Sequence, residues 1–192
     1  MFQCDIRDGV CLKLLEERHA LAVFAAVDRN RAHLRKWLPW VDDTTSVGYT
    51  LNFIRTSLQQ FANNQGFAAG IWCGDEYAGT IGAHKINWVD RKVEIGYWLA
   101  SKFQGRGIVT DACRALIDHA FEEWKLNRVE IHCAASTWTP LSTACWRAIG
   151  NERLNRQHVE RALQLALGVL IAGARRGFNS GLVHCAGVLD TS

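Results

Sequence analysis

Val93-Glu94-Ile95-Gly96-Tyr97-Trp98-Leu99-Ala100-Ser101-Lys102-Phe103-Gln104-Gly105-Arg106-Gly107-Ile108-Val109-Thr110 constrains the chain more than any other segment. It reads as a strand that runs into a glycine-containing loop, which opens directly onto a helix. The first turn of a helix leaves N–H groups without intrahelical partners and carries the positive end of the dipole, so it accepts anions. Gly105 and Gly107 permit positive φ and a close approach of backbone to a ligand, and Arg106 adds a cation. A pyrophosphate is the natural occupant. A Walker loop would need Gly-Lys-Ser/Thr after its second glycine, and none follows. A dinucleotide fingerprint would need glycine where Thr110 stands; Glu130 lies at a tolerable distance for a ribose contact. The strands before the loop, however, read as a meander of hairpins and not as the first strand of a βαβ fold. A glycine turn that binds nothing is the remaining alternative.

Around this segment the periodicity predicts an alternating chain. Residues 10–15 read as a first strand. Residues 17–29 follow at helical spacing, with Leu21, Phe24, Ala25 and Val27 apolar. A short helix over 31–37 stops before Pro39. Ser46 is placed to cap a helix over 47–61, with Leu51, Ile54, Leu58 and Phe61 on one side. Strands at 67–72 and 77–84 flank Cys73-Gly74-Asp75-Glu76, a hairpin turn by composition. Val89-Asp90-Arg91 turns the chain into a strand at 92–99. Beyond the loop a helix runs to about Trp124, with Ile108, Ala112, Ala115, Leu116, His119 and Ala120 at helical spacing, and a strand follows at 128–133. Antiparallel hairpins followed by a β-loop-α-β unit indicate an α/β or α+β domain.

The 192 residues suffice for one domain, two at most. Eight Trp and eight Phe supply the apolar surface that a disordered chain lacks. A net charge of +3 without a basic stripe gives no argument for direct nucleic-acid binding. Seven cysteines form no C-x-x-C pair and no metal-ligand spacing, so buried free thiols in a reducing cytosol are expected, with no metal. Met1-Phe2-Gln3-Cys4-Asp5 lacks the basic-then-apolar order of a signal peptide. The longest apolar run, 162–174, is shorter than the about 20 residues that span a bilayer. The expectation is a soluble cytoplasmic protein.

Gln104-Gly105-Arg106-Gly107-Ile108-Val109 resembles the Q/R-x-x-G-x-G/A loop of the GNAT acetyltransferase superfamily, with Val109 where a small residue is usual. Glu94-Ile95-Gly96-Tyr97-Trp98-Leu99, the loop and Thr110-Asp111-Ala112 together resemble the RimJ/RimL branch, the ribosomal-protein N-terminal acetyltransferases. So does Asn30-Arg31-Ala32-His33-Leu34-Arg35-Lys36-Trp37-Leu38-Pro39-Trp40-Val41-Asp42. The likeness covers about residues 8–133. It implies a mixed, mostly antiparallel sheet with helices on both faces and a splayed parallel strand pair, 92–99 and 128–133, between which acetyl-CoA binds. Backbone groups near Trp98 and Leu99 would pair with the pantetheine arm. The N–H groups of Gln104, Gly105, Arg106, Gly107, Ile108, Val109 and Thr110 would hold the pyrophosphate.

The chemistry so implied is direct attack of an amine on a thioester, which asks for positioning, proton removal and oxyanion stabilisation. A protein α-amine, with a pKa of roughly 7.7–8.0, is already partly neutral at pH 7 and needs only a modest base acting through water. Glu94 is the candidate base; the alternative is a strand carboxylate paired with Lys92 or Arg91. Ser142, which keeps the family's serine-to-glycine spacing to Gly150, is the second catalytic candidate. Trp37 and Trp40 would line the acceptor groove, or else be buried core residues. His84 could relay a proton or be structural. The expected partner is an amine acceptor, a protein N-terminus above all, with no membrane.

After Cys133 the likeness decays. Thr139 and Asn151 replace the family's asparagine and phenylalanine, and residues 151–176 read as one helix. The departure reads as a diverged tail or a changed reading frame. This divides the chain into an acetyltransferase-like domain at 1–150 and an atypical, mainly helical tail at 151–192, which packs on the domain or at a homodimer interface. An alternative to the enzyme is a non-catalytic acyl-CoA-binding module whose acceptor half is degraded.

Overall fold

The computed structural model describes residues 3–131. Cys133, Ser142 and the tail at 151–192, with the division into two units, lie outside the described residues. Among these, six strands form one sheet in sequence order: β1 (Gln3–Arg7), β2 (Val10–Leu14), β3 (Phe67–Cys73), β4 (Glu76–Asn87), β5 (Lys92–Leu99) and β6 (Arg128–Ile131). Neighbours are antiparallel from β1 to β5, and β5 with β6 is parallel. Four helices accompany them: α1 (Ala20–Arg29), α2 (Arg31–Leu34), α3 (Val47–Ala62) and α4 (Ile108–Glu122). The mixed, mostly antiparallel sheet ending in a parallel pair matches the expected fold class. Lys92 to Ile95 pair with Arg128 to Ile131. The expected splay of the pair involves residues after Ile131 and lies outside the described residues.

Strand β1 is absent from the sequence reading. Its residues are exposed apart from the half-buried Ile6, so no apolar alternation announces it. The available signal was Asp8-Gly9, a hairpin dipeptide that joins Arg7 to its register partner Val10. The helix expected over 17–29 begins as a 3-10 turn, Glu17–His19, in which Glu16 and His19 cap one another reciprocally. Leu21, expected on the apolar face of α1, is 67% exposed; Ala20, Val23, Ala26 and Val27 form that face instead. The short helix ends at Leu34, not Trp37, and turns lead to Pro39. Ser46 stands at the N-cap of α3 in extended conformation, but its side chain makes no capping bond. Phe61 and His119 lie on the outside of their helices.

Strand periodicity separates two faces of the sheet. Leu12, Leu14, Phe67 and Ala69 share one face with α4, as their common cavity with Leu116 shows. Leu15, Gly70, Trp72 and Tyr77 meet on the other, where a carbon added at Gly70 would touch all three side chains. Leu15 leads from that face into α1, which packs on β4 and α3. Leu15, Val27, Ile54, Ile71, Ile81, Val93, Ile95, Ile108 and Val129 are fully buried, and each contributes about 1.5–3 kcal/mol of transfer free energy. The four cysteines among the described residues are free. Cys11 and Cys113 are buried, but Cys73 is half-buried and Cys4 exposed, contrary to the expectation of buried thiols throughout. No described helix is long and apolar enough to cross a membrane.

Candidate active site

The loop after β5 is fixed at both ends by apolar anchors and left open between them. The Ala100 N–H donates to the Ala78 carbonyl at 2.8 Å, and the 3-10 turn Ser101–Phe103 buries the Phe103 ring. At the far end Ile108 and Val109 are buried, so α4 enters the core from its first residue. The branched side chain at Val109, where the resemblance favours a small residue, is thus a packing residue. Gln104, Gly105, Arg106 and Gly107 between the anchors are exposed.

Gly105 and Gly107 both adopt left-handed backbone, with φ of 73° and 74°. Such turns curl successive N–H groups toward a common concavity that suits an anion. A side-chain carbon at Gly105 would meet no atom within 4 Å, so conformation and not crowding demands glycine there. The first intrahelical bond of α4 runs from Asp111 N–H to Gly107 O at 3.1 Å. The amides of Ile108, Val109 and Thr110 precede it and are the ones helix geometry leaves for a ligand. Arg106 stands exposed beside them, its guanidinium 5.8 Å from the Phe103 ring centroid.

Three residues to which the sequence reading gave no role at the loop hold it. Arg7 reaches it from β1 and donates from Nη1 to the Arg106 carbonyl at 2.6 Å. Asn30, at the end of α1, accepts from both the N–H and the Oγ of Ser101 through Oδ1, each at 3.0 Å. Its Nδ2 donates to the Ala26 carbonyl at 2.8 Å. His33 on α2 shares a 2.9 Å hydrogen bond with Gln104. These partners lie far from the loop in sequence, where no periodic pattern marks them.

Glu94, Gly96 and Trp98 alternate along β5 and face the same side of the sheet. Glu94 is the register partner of His84 on β4, and Gly96 that of Gly82. The His84 ring lies over both glycines. Carbons added at Gly82 and Gly96 would stand 3.0 Å and 3.3 Å from it. Burial lowers the His84 pKa; Glu94 opposes that shift and Lys85 adds to it. A neutral imidazole that can accept a proton results at pH 7. Glu94 does have an ion-pair partner, but it is Lys85 at 3.0 Å and not the expected Lys92 or Arg91. Lys92 sits 3.8 Å from Glu130, and Arg91 donates from Nε to the Lys125 carbonyl at 2.8 Å. The Lys85 side chain is 81% exposed, so the pair is weak and leaves Glu94 available.

Neither early tryptophan is a core residue. Trp37 is half-buried and closes the turn after α2, donating its N–H to Leu34 O at 2.9 Å. Trp40 is 39% exposed and brings its ring to 6.5 Å from Trp98, which in turn lies 5.9 Å from Tyr77. Burial pushes the Tyr77 phenol above its ordinary range, and its hydroxyl bonds Thr80. Arg31 fixes the Trp40 segment: it bonds the Val41 carbonyl and, at 2.6 Å, the Thr44 carbonyl. Arg35 adds an ion pair with Asp42 at 2.6 Å.

The glycine loop, Glu94 with His84, and the Trp40–Trp98 pair are thus connected through β5, which carries Glu94 and Trp98 and runs into the loop. A cavity of about 490 Å³ lies elsewhere, between the β1–β3 end of the sheet and α4, and contains none of these residues. Its walls are mainly apolar, with Cys4 and His119 among them.

A profile of the acetyltransferase (GNAT) domain matches residues 10–137. YdaF of Bacillus subtilis (strain 168), named as a ribosomal N-acetyltransferase, is 36% identical over 177 residues, 92% of this chain and 86% of that relative. The ribosomal-protein-serine acetyltransferase of Escherichia coli (strain K12) is 27% identical over 128 residues, 67% of this chain and 72% of its own. Among solved structures, RimL, a ribosomal L7/L12 α-N-protein acetyltransferase in complex with coenzyme A, superposes with a TM-score of 0.71 at 26% identity. That alignment covers 76% of this chain and 81% of RimL.

Proposed function

The chain belongs to the GNAT acetyltransferase family, and on that premise we propose that it acetylates the N-terminal α-amine of a ribosomal protein in the cytoplasm. The acyl donor of the family is acetyl-CoA, and the residues present suit it. The loop from Gln104 to Gly107 is exposed, Gly105 has open space where a side chain would stand, and Arg7 and Arg106 supply positive charge. The observation that carries the reading is the continuity of this loop with β5, which presents Glu94 on one strand face and ends at Trp98 and Leu99.

Bound acetyl-CoA supplies an activated acetyl thioester. In this reading the amides from Gly105 to Thr110 hold the pyrophosphate, whereas the Gln104 N–H, expected among them, is already given to the Ser101 carbonyl at 3.2 Å; backbone groups at Trp98 and Leu99 align the pantetheine arm. Glu94 accepts the proton of the attacking amine through water, with the neutral His84 beside it as a second acceptor. Trp40, backed by Trp98, forms an aromatic wall for a flexible N-terminal peptide, and Trp37 extends it. Ser142, the remaining catalytic candidate, lies outside the described residues. The names of the relatives support the protein acceptor.

The test is turnover of the full chain with acetyl-CoA and two versions of one ribosomal-protein N-terminal peptide, its α-amine free or blocked. Release of coenzyme A thiol with the free peptide alone is the expected result. Binding of desulfo-CoA without turnover on any amine would overturn the enzyme in favour of a binding module.

A further inference from the structure

Arg7 is the residue at this site with the least obvious purpose. It lies on the edge strand β1, remote in sequence from the loop, yet its guanidinium meets the loop twice. Nη1 donates to the Arg106 carbonyl at 2.6 Å and lies 3.1 Å from Asp111 Oδ2 in the first turn of α4. A side-chain carbon at Gly107 would stand 3.6 Å from that same nitrogen.

Each contact has a consequence for an anion. The peptide joining Arg106 to Gly107 is planar and trans, so its C=O and N–H point in opposite directions. A carbonyl held toward Arg7 therefore aims the Gly107 N–H away from Arg7, and the left-handed φ of Gly107 lets the next amides follow. Asp111 is the second matter. A carboxylate in the first turn stabilises the helix through its dipole, but it also repels a second anion bound at the same end. Arg7 neutralises it, with Arg114 farther off at 3.5 Å. The Arg7 side chain remains 44% exposed, so its charge stays open to the loop.

We propose that Arg7 is a positioning residue for the acyl donor, which orients the loop amides and cancels the Asp111 charge so that α4 can receive a pyrophosphate. This rests on the reading that residues 105–110 hold that group. The competing role is a strut that ties the β1–β2 hairpin to α4 and has no bearing on the ligand.

The experiment compares kcat/KM for acetyl-CoA with that for acetyl-pantetheine, which lacks the pyrophosphate, in the wild-type chain, Arg7→Ala, Asp111→Asn and the double variant. The wild type is expected to prefer acetyl-CoA strongly. Arg7→Ala should narrow that preference by about fivefold, the scale of one partly exposed charged hydrogen bond. Adding Asp111→Asn should restore much of it, because the uncancelled carboxylate is then gone. Equal losses on both donors, or no loss, would overturn the role of Arg7. A wild type that uses both donors equally well would instead overturn the placement of the pyrophosphate itself.

Discussion

The proposed donor wall is one unbroken stretch of chain, from β5 through the glycine loop to α4; hydrogen-bonded ladders and a helix hold its two ends, and Arg7, Asn30 and His33 tie down the loop between them. The proposed acceptor wall, from Asn30 to Thr44, contains only the single-turn α2 and the 3-10 turn Pro39–Val41. Side chains hold it: Arg31 on two carbonyls, Arg35 on Asp42, and Trp40 against Trp98. Backbone periodicity fixes the strand and helix of the first wall and leaves only its loop to side chains. The second depends on individual long side chains, each with conformational freedom to lose. Substitutions should therefore act on the two walls through different observables.

The largest effect is expected at the loop. Gly107→Asp forces a side chain onto left-handed backbone and sets a carboxylate beside Arg7, where it takes up positive charge meant for the loop and repels an incoming anion. Affinity for desulfo-CoA by calorimetry should fall on the order of a hundredfold or more. Unchanged affinity would remove the loop from the donor site. Next comes Glu94→Gln, which should lower kcat on the order of a hundredfold while donor affinity stays near wild type. Equal turnover would take Glu94 out of the chemistry.

On the other wall, Arg31→Ala strips the partner from the carbonyls of Val41 and Thr44. Urea unfolding should show a loss of about 1–3 kcal/mol, and KM for the peptide should rise more than that for acetyl-CoA. If both KM values rise together, the walls are not separable. Trp40→Ala removes one aromatic contact and should raise the peptide KM about threefold to tenfold with donor affinity intact. The smallest effect is one of pH. Burial lowers the pKa of both His84 and His19, so between those values and about 6.5 the unfolded chain binds more protons than the folded one. Stability should be complete above pH 6.5 and decline as pH falls below it. The slope should flatten in His84→Gln, and an unaltered slope in that variant would show that another group sets it.

The same contrast explains what could be read from the sequence. Strand β5 appears at its expected bounds and α4 begins where the glycines predict, because alternation, helical spacing and a turn signal are all local. Glu94, Trp98 and the loop residues share that stretch, so the donor half of the site was legible. The acceptor half was legible only through likeness to a family, and the fate of its tryptophans as half-exposed residues was left open. Arg7 and Lys85 went unmarked, and Asn30 and His33 were quoted only as part of a family phrase, with no role assigned. Each gains its role from a partner on another element, and a single polar residue on an exposed strand or helix end carries no periodic signature. Leu21 shows the opposite error, since it keeps helical spacing yet faces solvent.

Asn30 joins the two walls. One end of its amide closes the last turn of α1 through Ala26, and the other end grips Ser101 at the entrance to the donor loop. Whatever quiets the loop is therefore transmitted, through a rigid planar group, to the helix end from which the acceptor wall departs. Occupancy on one side and order on the other should then be linked quantities, and linkage is reciprocal. Hydrogen exchange at the amides of Leu34 and Arg35 should slow when desulfo-CoA is bound, and Asn30→Ala should uncouple them. If those exchange rates move together, the arrival of the first substrate prepares the seat of the second.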